Sequence, residues 1–506
     1  SELPESLVAL TTSRSGGNPL ALEQLLELLV EHEVITRTAA GWKVDASRLA
    51  EGDIPVSLEG LVEARLRQLP AAELKLLRQA AVQGTAFLLG GLLACARSAA
   101  PAAADPFWFD EGFEESVREV LLGLQTRDII RFRRSASSTG ELQFEFRHAF
   151  EREWVYRSTP EPERQLCHRV FASWLEGHGG EPARAPFEVV ARHLEAGQAL
   201  RRAAFAYLAA ARQAAAVYRN AEAVFYLDRV ISFFGDDDAA SRVPAFAELA
   251  QIHYNVGDYA LSVNAGLRML RDCYILGDRD RLAATYDLLG RALTDRGDFA
   301  AAERCLTRSL SLQEERQDKS GTARALDSLG QLYLKQGGSG SLDRAQRNFE
   351  GSLEIRRGLG DELGTALSYH LLGWVYTDRG FTREGRLCFR EAIRLRSHAG
   401  DKDGLCRSLN NLAETYRLAG EAEKARKYYD EAYRVATEIG AQGLQAVILG
   451  NLAETDLLQG KGDEAGRRID LALALTRALG DRPLLASHLI TESKVRQLQG
   501  NATVAR

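Results

Sequence analysis

Beyond about residue 240, small and bulky apolar positions recur at spacings of three, four and seven, which places them on one face of an α-helix. Two helical patterns alternate. In the first, a leucine precedes a small residue: Leu289-Gly290, Leu329-Gly330, Leu372-Gly373, Leu412-Ala413 and Leu452-Ala453, with Tyr333, Tyr376 and Tyr416 three positions further on. In the second, Ala302, Ala345, Gly385, Ala425 and Ala465 are followed four residues later by Leu306, Phe349, Phe389, Tyr429 and Ile469. Small residues return three positions after those, at Ser309, Ser352, Ala392, Ala432 and Ala472. Small residues let two helices approach, and large ones fill the neighbouring gap. Glycines separate the patterns at Gly257, Gly297, Gly337, Gly380, Gly420, Gly460 and Gly500, in steps of 40, 40, 43, 40, 40 and 40. The insertion Gly338-Ser339-Gly340 accounts for the long step. A second comb, Gly277, Gln317, Gly360, Gly400, Gly440 and Gly480, lies between and usually continues with Asp. Glycine supplies the turn geometry that other residues disfavour.

This pattern resembles the tetratricopeptide repeat, in its long 40-residue variety, over about residues 240–500. A degenerate earlier pair is expected at about 199–235, with Tyr218-Arg219-Asn220 as its turn. The resemblance implies a mainly α fold: a right-handed superhelix of about seven stacked units, burying a core that no single unit could bury. The last helix, about 482–498, lacks a partner and is either a cap or the point of a cut.

Residues 1–198 carry no such period. Helices are expected at 20–32, 57–68, 72–83, 86–97, 112–125, from near His148, and at 162–176. Val34-Ile35-Thr36 and Trp42-Lys43-Val44 flank Ala39-Ala40-Gly41 as a hairpin. Ile129 to Arg133 and Leu142 to Phe146, with polar Ser135 to Gly140 between them, form a second. Ala99 to Pro106 reads as a linker. Three helices followed by a two-stranded wing is the winged-helix plan.

A second resemblance lies here. Ser15-Gly16-Gly17-Asn18-Pro19-Leu20 before an apolar helix resembles the Gly-x-Pro motif of STAND-class signalling NTPases. Pro55-Val56-Ser57-Leu58, Leu61, Arg65-Leu66, Leu69-Pro70, Ala80-Ala81-Val82, Gly84 and Phe87 are similar to the helices that follow in bacterial members. Phe146-Arg147-His148, Arg152 and Tyr156 resemble the end of their winged-helix domain. The expected organisation is therefore 1–53, the tail of a nucleotide-binding domain; 54–160, a winged helix; 161–198, a helical connector; and 199–506, the solenoid. The family implies that Pro19 packs on an adenine and that His148 reaches nucleotide phosphates. Read from the residues alone, Pro19 also suits a plain helix start, and His148 a packed residue beneath the wing. No GxxxxGK[ST] phosphate loop occurs, nor a strand ending in an acidic Mg²⁺ ligand to accompany one. The chain is therefore expected to be no enzyme and to hold no cofactor alone. ATP or ADP with Mg²⁺ would belong to a longer parent, with an NTPase or Ser/Thr kinase upstream.

Composition narrows the classes further. With 64 basic and 70 acidic residues, the net charge of −6 argues against bulk binding to nucleic acid or anionic lipid. Arg131, Arg133 and Arg134 on the wing read as a solvated strand face, with contact to DNA phosphates as the alternative. No stretch approaches the roughly 20 apolar residues of a membrane span. Six scattered cysteines without a CxxC pair signal no metal site or disulfide framework and suit a reducing cytoplasm. Cys406 takes a small core position that Ala283, Ala323, Ala366 and Ala446 fill in other units, and Cys167-His168 are mere sequence neighbours. Asp236-Asp237-Asp238 read as a solvated turn. With Ser1 first and no signal peptide, the chain reads as an excised or processed piece.

The useful chemistry lies on the first helix of each pair, which lines the concave face in the repeat family. The positions expected to point there are Asp287, Arg291, Arg324, Asp327, Gln331, His370, Trp374, Arg407, Asn410 and Glu414. Trp374 is the best anchor for a partner; half-burial between units is the plainer reading. Mixed charge suits an extended peptide or helix, from a protein partner or from an effector domain of the parent. The expected role is a protein-interaction and regulatory module of a signalling ATPase. The alternatives are the regulatory end of a Ser/Thr kinase or of a DNA-binding transcription regulator.

Overall fold

Helical apolar periods become helices along most of the chain. The computed structural model describes residues 8–9, 11–12, 19–31, 34–38, 41–44, 58–98, 111–133, 141–177, 186–235 and 238–500. The chain divides into two units, Ser1–Tyr207 and Leu208–Arg506.

The N-terminal unit begins with α1 (Pro19–Glu31) and the antiparallel hairpin of β1 (Ile35–Thr38) and β2 (Gly41–Val44), in which Ile35 faces Val44. Then come α2 (Leu58–Arg67), α3 (Ala71–Gln83), β3 (Ala86–Leu88), α4 (Leu89–Ser98), α5 (Glu111–Thr126), β4 (Ile130–Arg133) and β5 (Gln143–Phe146). Helices α6 (Ala149–Ser158), α7 (Glu161–Gly177) and α8 (Phe187–Ala196) follow. The linker at 99–106 and the hairpin tip at 135–140 lie outside the described residues.

One element departs from the sequence expectation. Residues 86–88 form a strand, and the helix placed at 86–97 starts only at Leu89. The sheet is three-stranded, in the order β3-β5-β4. Its cause is Phe87, which is fully buried 5.8 Å from the ring of Phe144 and 5.7 Å from that of Phe146. Gln83 holds the turn by accepting from the Leu88 backbone N–H at 2.9 Å. A short run such as Ala86-Phe87-Leu88-Leu89 has no period to separate strand from helix.

The C-terminal unit is an array of helix pairs. Helix α9 (Leu200–Ala216), which contains the boundary, is followed by α10 (Asn220–Ser232). Six regular pairs follow: α11 (Ala239–Val256) with α12 (Tyr259–Leu276), α13 (Arg279–Arg296) with α14 (Phe299–Glu315), and α15 (Lys319–Gln336) with α16 (Ser339–Leu359). The rest are α17 (Glu362–Asp378) with α18 (Thr382–Ala399), α19 (Lys402–Leu418) with α20 (Ala422–Glu438), and α21 (Gln442–Leu458) with α22 (Gly462–Leu479). Helix α23 (Arg482–Leu498) ends the array.

The small-against-large pattern is the packing. A methyl group added at Gly330 would lie 2.4 Å from the Phe349 ring, and one at Gly373 would lie 2.8 Å from Phe389. The aspartates after the second comb cap the helices that follow. Asp318 accepts from the Gly321 N–H at 2.9 Å, Asp361 from Gly364 at 2.8 Å and Asp401 from Gly404 at 2.9 Å. Gln317, the one side chain in that comb, adopts φ 56° where glycine stands in the others.

The array comes round on itself. Pro483, at the start of α23, sits against Gly257 in the turn of the first regular pair, and Arg482 lies 3.6 Å from Asp258. Among the described residues no helix is long and apolar enough to cross a membrane.

Candidate functional site

First helices from four consecutive pairs, α11, α13, α15 and α17, enclose a cavity of about 540 Å³. Its wall shows the register of the array. Asp295, Lys335 and Asp378 hold the same position in successive first helices, one helical turn beyond Arg291, Gln331 and Trp374.

At one end the charges are paired. Lys335 pairs with Asp295. Burial, reinforced by a hydrogen bond to Asp295, pushes the Tyr254 phenol up. Arg291 lies 5.2 Å from the centre of the Tyr254 ring and 3.4 Å from the Asp287 carboxylate. The other end is apolar, with Leu334, Leu367, Leu371 and Trp374 on its wall. Trp374 remains 40% exposed, which is high for a residue usually well buried. Beside it Asp378 is exposed; partial desolvation raises its carboxyl, and it makes no hydrogen bond or ion pair among the described residues.

His370 forms part of the floor and is held neutral. Burial, with Arg396 nearby, lowers it to about 3. Its Nε2 accepts from Asn411 Nδ2 at 3.0 Å, which leaves Nδ1 to donate to Ser408 Oγ at 3.0 Å. Asn411 Oδ1 accepts from Asn410 at 3.1 Å, and Asn410 Oδ1 from Asn451 at 2.9 Å. A directed chain of amides thus crosses α21, α19 and α17.

The family model described as tetratricopeptide repeat matches residues 282–316 and 378–438. Over those residues the helix pairs match the tetratricopeptide repeat. An uncharacterized protein of Rhizobium meliloti (strain 1021) is 25% identical over 275 residues, 52% of this chain. That match spans 24% of the relative's length. Among solved structures, a Signal Transduction ATPase with Numerous Domains protein with a tetratricopeptide repeat sensor, from Pyrococcus horikoshii, is 17% identical at TM-score 0.47. It covers all of this chain and 68% of that one. The quorum sensor NprR from B. thuringiensis is 12% identical at TM-score 0.43, covering 68% of this chain and 94% of its own.

Within the repeats, Arg291, Gln331, His370 and Trp374 line the cavity. Asp327 does not. It is buried in the core, 2.5 Å from Arg356, because the second helix of its own repeat turns that arginine inward. Asp287 adjoins the cavity through Arg291. Arg324 and Arg407 are exposed outside it, the latter donating to Asp403 at 2.8 Å. Asn410 belongs to the amide chain. Burial pushes the Glu414 carboxyl up, but hydrogen bonds from Arg417 at 2.5 Å and Tyr429 at 2.6 Å outweigh it and hold it below the usual range. Spacing on the first helices did not single out Tyr254, Asp295, Lys335 or Asp378. Asp295, Lys335 and Asp378 share a register one turn along, which is the signal that finds them, whereas Tyr254 stands one position earlier, in the register of Thr294 and Leu334. Cys406 is fully buried at its small position.

In the N-terminal unit, Pro19 starts α1 and is exposed; 15–18 lie outside the described residues. His148 stacks on Phe150 at 5.4 Å, and burial lowers it. Its Nε2 is buried without a hydrogen-bond partner among the described residues. One such nitrogen does not by itself make a nucleotide site. Arg131 donates to Glu145 at 2.6 Å and Arg133 lies 3.9 Å from it, so these two β4 cations are already engaged; Arg134 lies outside the described residues. His168 meets His193 through their Nδ1 atoms at 2.8 Å and Tyr156 through Nε2 at 3.0 Å. Burial holds the two histidines neutral, at about 3 and about 4. Asp238 caps α11, accepting from Ser241 at 3.3 Å, while 236–237 lie outside the described residues.

Proposed function

We propose that the cavity formed by the first helices receives an extended segment of a protein partner, and that the chain acts by recognition and not by catalysis. The observation that carries this is Trp374, an indole left exposed on the wall of a 540 Å³ cavity that no segment of the described chain fills. Exposing such a face to water is unfavourable, and buried aromatics supply much of the energy of interfaces. The cavity spans four repeats, a length that suits an extended chain. The N-terminal unit then serves as a winged-helix relay to an NTPase or kinase in a longer cytoplasmic signalling protein. Its support is the STAND-like motif series and the arrangement of helices and a three-stranded sheet. Relay requires the partner to bind one arrangement of the parent more tightly than another.

Peptide display against the full chain and against Trp374→Ala tests the recognition step. The expected result is a set of peptides whose binding weakens roughly tenfold or more in the variant, as for an interface anchor. Peptides that bind both proteins equally would remove this cavity from consideration.

A further inference from the structure

The cavity wall carries an imbalance that selects its guest. Lys335 is taken by Asp295 and Arg291 by Asp287. Asp378 is left over. It stands one helical turn after Trp374 on α17, so indole and carboxylate share a face. His370 below is neutral and adds no charge.

We propose that Trp374 and Asp378 together form a receptor for one arginine side chain of the bound segment. A planar guanidinium stacks on an indole face and presents its N–H edge to a carboxylate, so one group satisfies both residues. Its methylene stem lies along Leu334 and Leu371, which line the same end of the cavity. A lysine reaches the carboxylate but forgoes the planar stack, and a glutamate meets Asp378 with like charge. Asp378 is exposed on the wall and free to meet a guest; partial desolvation there raises its carboxyl, and an arriving cation would offset that. The inference rests on the reading of the cavity as a peptide site and adds the identity of the anchor.

The experiment displays a random heptapeptide library on the full chain, on Trp374→Ala and on Asp378→Asn. Selected peptides are then titrated calorimetrically beside analogues in which arginine is replaced by citrulline, its uncharged isostere. Arginine enriched at one position is expected. Citrulline and Asp378→Asn should each weaken binding about fivefold, as for a partly exposed charge pair, and together no more than either alone. Peptides that require Trp374 but bind Asp378→Asn and tolerate citrulline at full strength would overturn the arginine receptor and leave peptide binding standing. If no selected peptide requires Trp374, both readings fall. Because citrulline alters the ligand alone, loss of folding in a variant cannot mimic the result.

Discussion

Asp327 and His370 occupy the same position in successive repeats, and each faces a buried arginine from the second helix of its own repeat. Arg356 stands 2.5 Å from the carboxylate of Asp327. Arg396, its counterpart, meets His370 through a shared Ser408, donating to the hydroxyl at 2.7 Å. One repeat holds an ion pair where the next holds a neutral ring, and the two respond oppositely to acid.

Asp327 is raised from 3.8 to about 6, chiefly by burial, with Arg356 opposing. Between those values the folded chain binds more protons than the unfolded one. This group's contribution is therefore complete below about pH 4 and lost as pH rises through about 6. Urea unfolding of wild type and Asp327→Asn should show their stability difference falling by on the order of 2–3 kcal/mol across that window. A flat difference would mean that the carboxylate stays charged throughout.

His370 runs the other way. Its folded value lies far below the ordinary 6.5, so its contribution is complete above that value and drains as pH falls towards about 3. Relative to His370→Gln, wild type should lose about 2–3 kcal/mol by about pH 4.5. Matched melting curves of the two proteins at both pH values provide the check.

Gln317 holds a left-handed conformation, φ 56°, that costs an ordinary residue roughly 1 kcal/mol. Gln317→Gly relieves that strain but widens the unfolded ensemble. A net gain of about 0.5 kcal/mol in urea is expected, where glycine elsewhere usually destabilises.

Gly330→Ala drives a methyl group to within 2.4 Å of the buried Phe349 ring. It should cost about 2 kcal/mol, typical of overpacking. Adding Phe349→Leu should recover part of the loss, since the clash is with the ring. Simple addition of the two penalties would place the strain elsewhere.

The repeats were legible because their packing is written within each pair: Gly330 needs Phe349, and the two lie nineteen residues apart in a fixed register. Residue 87 was not, since its strand exists only because Phe144 pairs with it, and Phe146 packs on it, from much later in the sequence. The same limit applied to the cavity. Periodicity along one helix brought Arg291 and Trp374 to the inner wall. It could not show that Arg356 would claim Asp327 from a second helix. Asp378 was legible only as the third member of a column, after Asp295 and Lys335, whose alternating sign leaves it unmatched.

The meeting of Pro483 with Gly257 ties the last helix to the first regular pair through one packed ring and one ion pair, Arg482 with Asp258. Helix α23, which has no second helix to pair with, thereby gains a neighbour from the far end of the array.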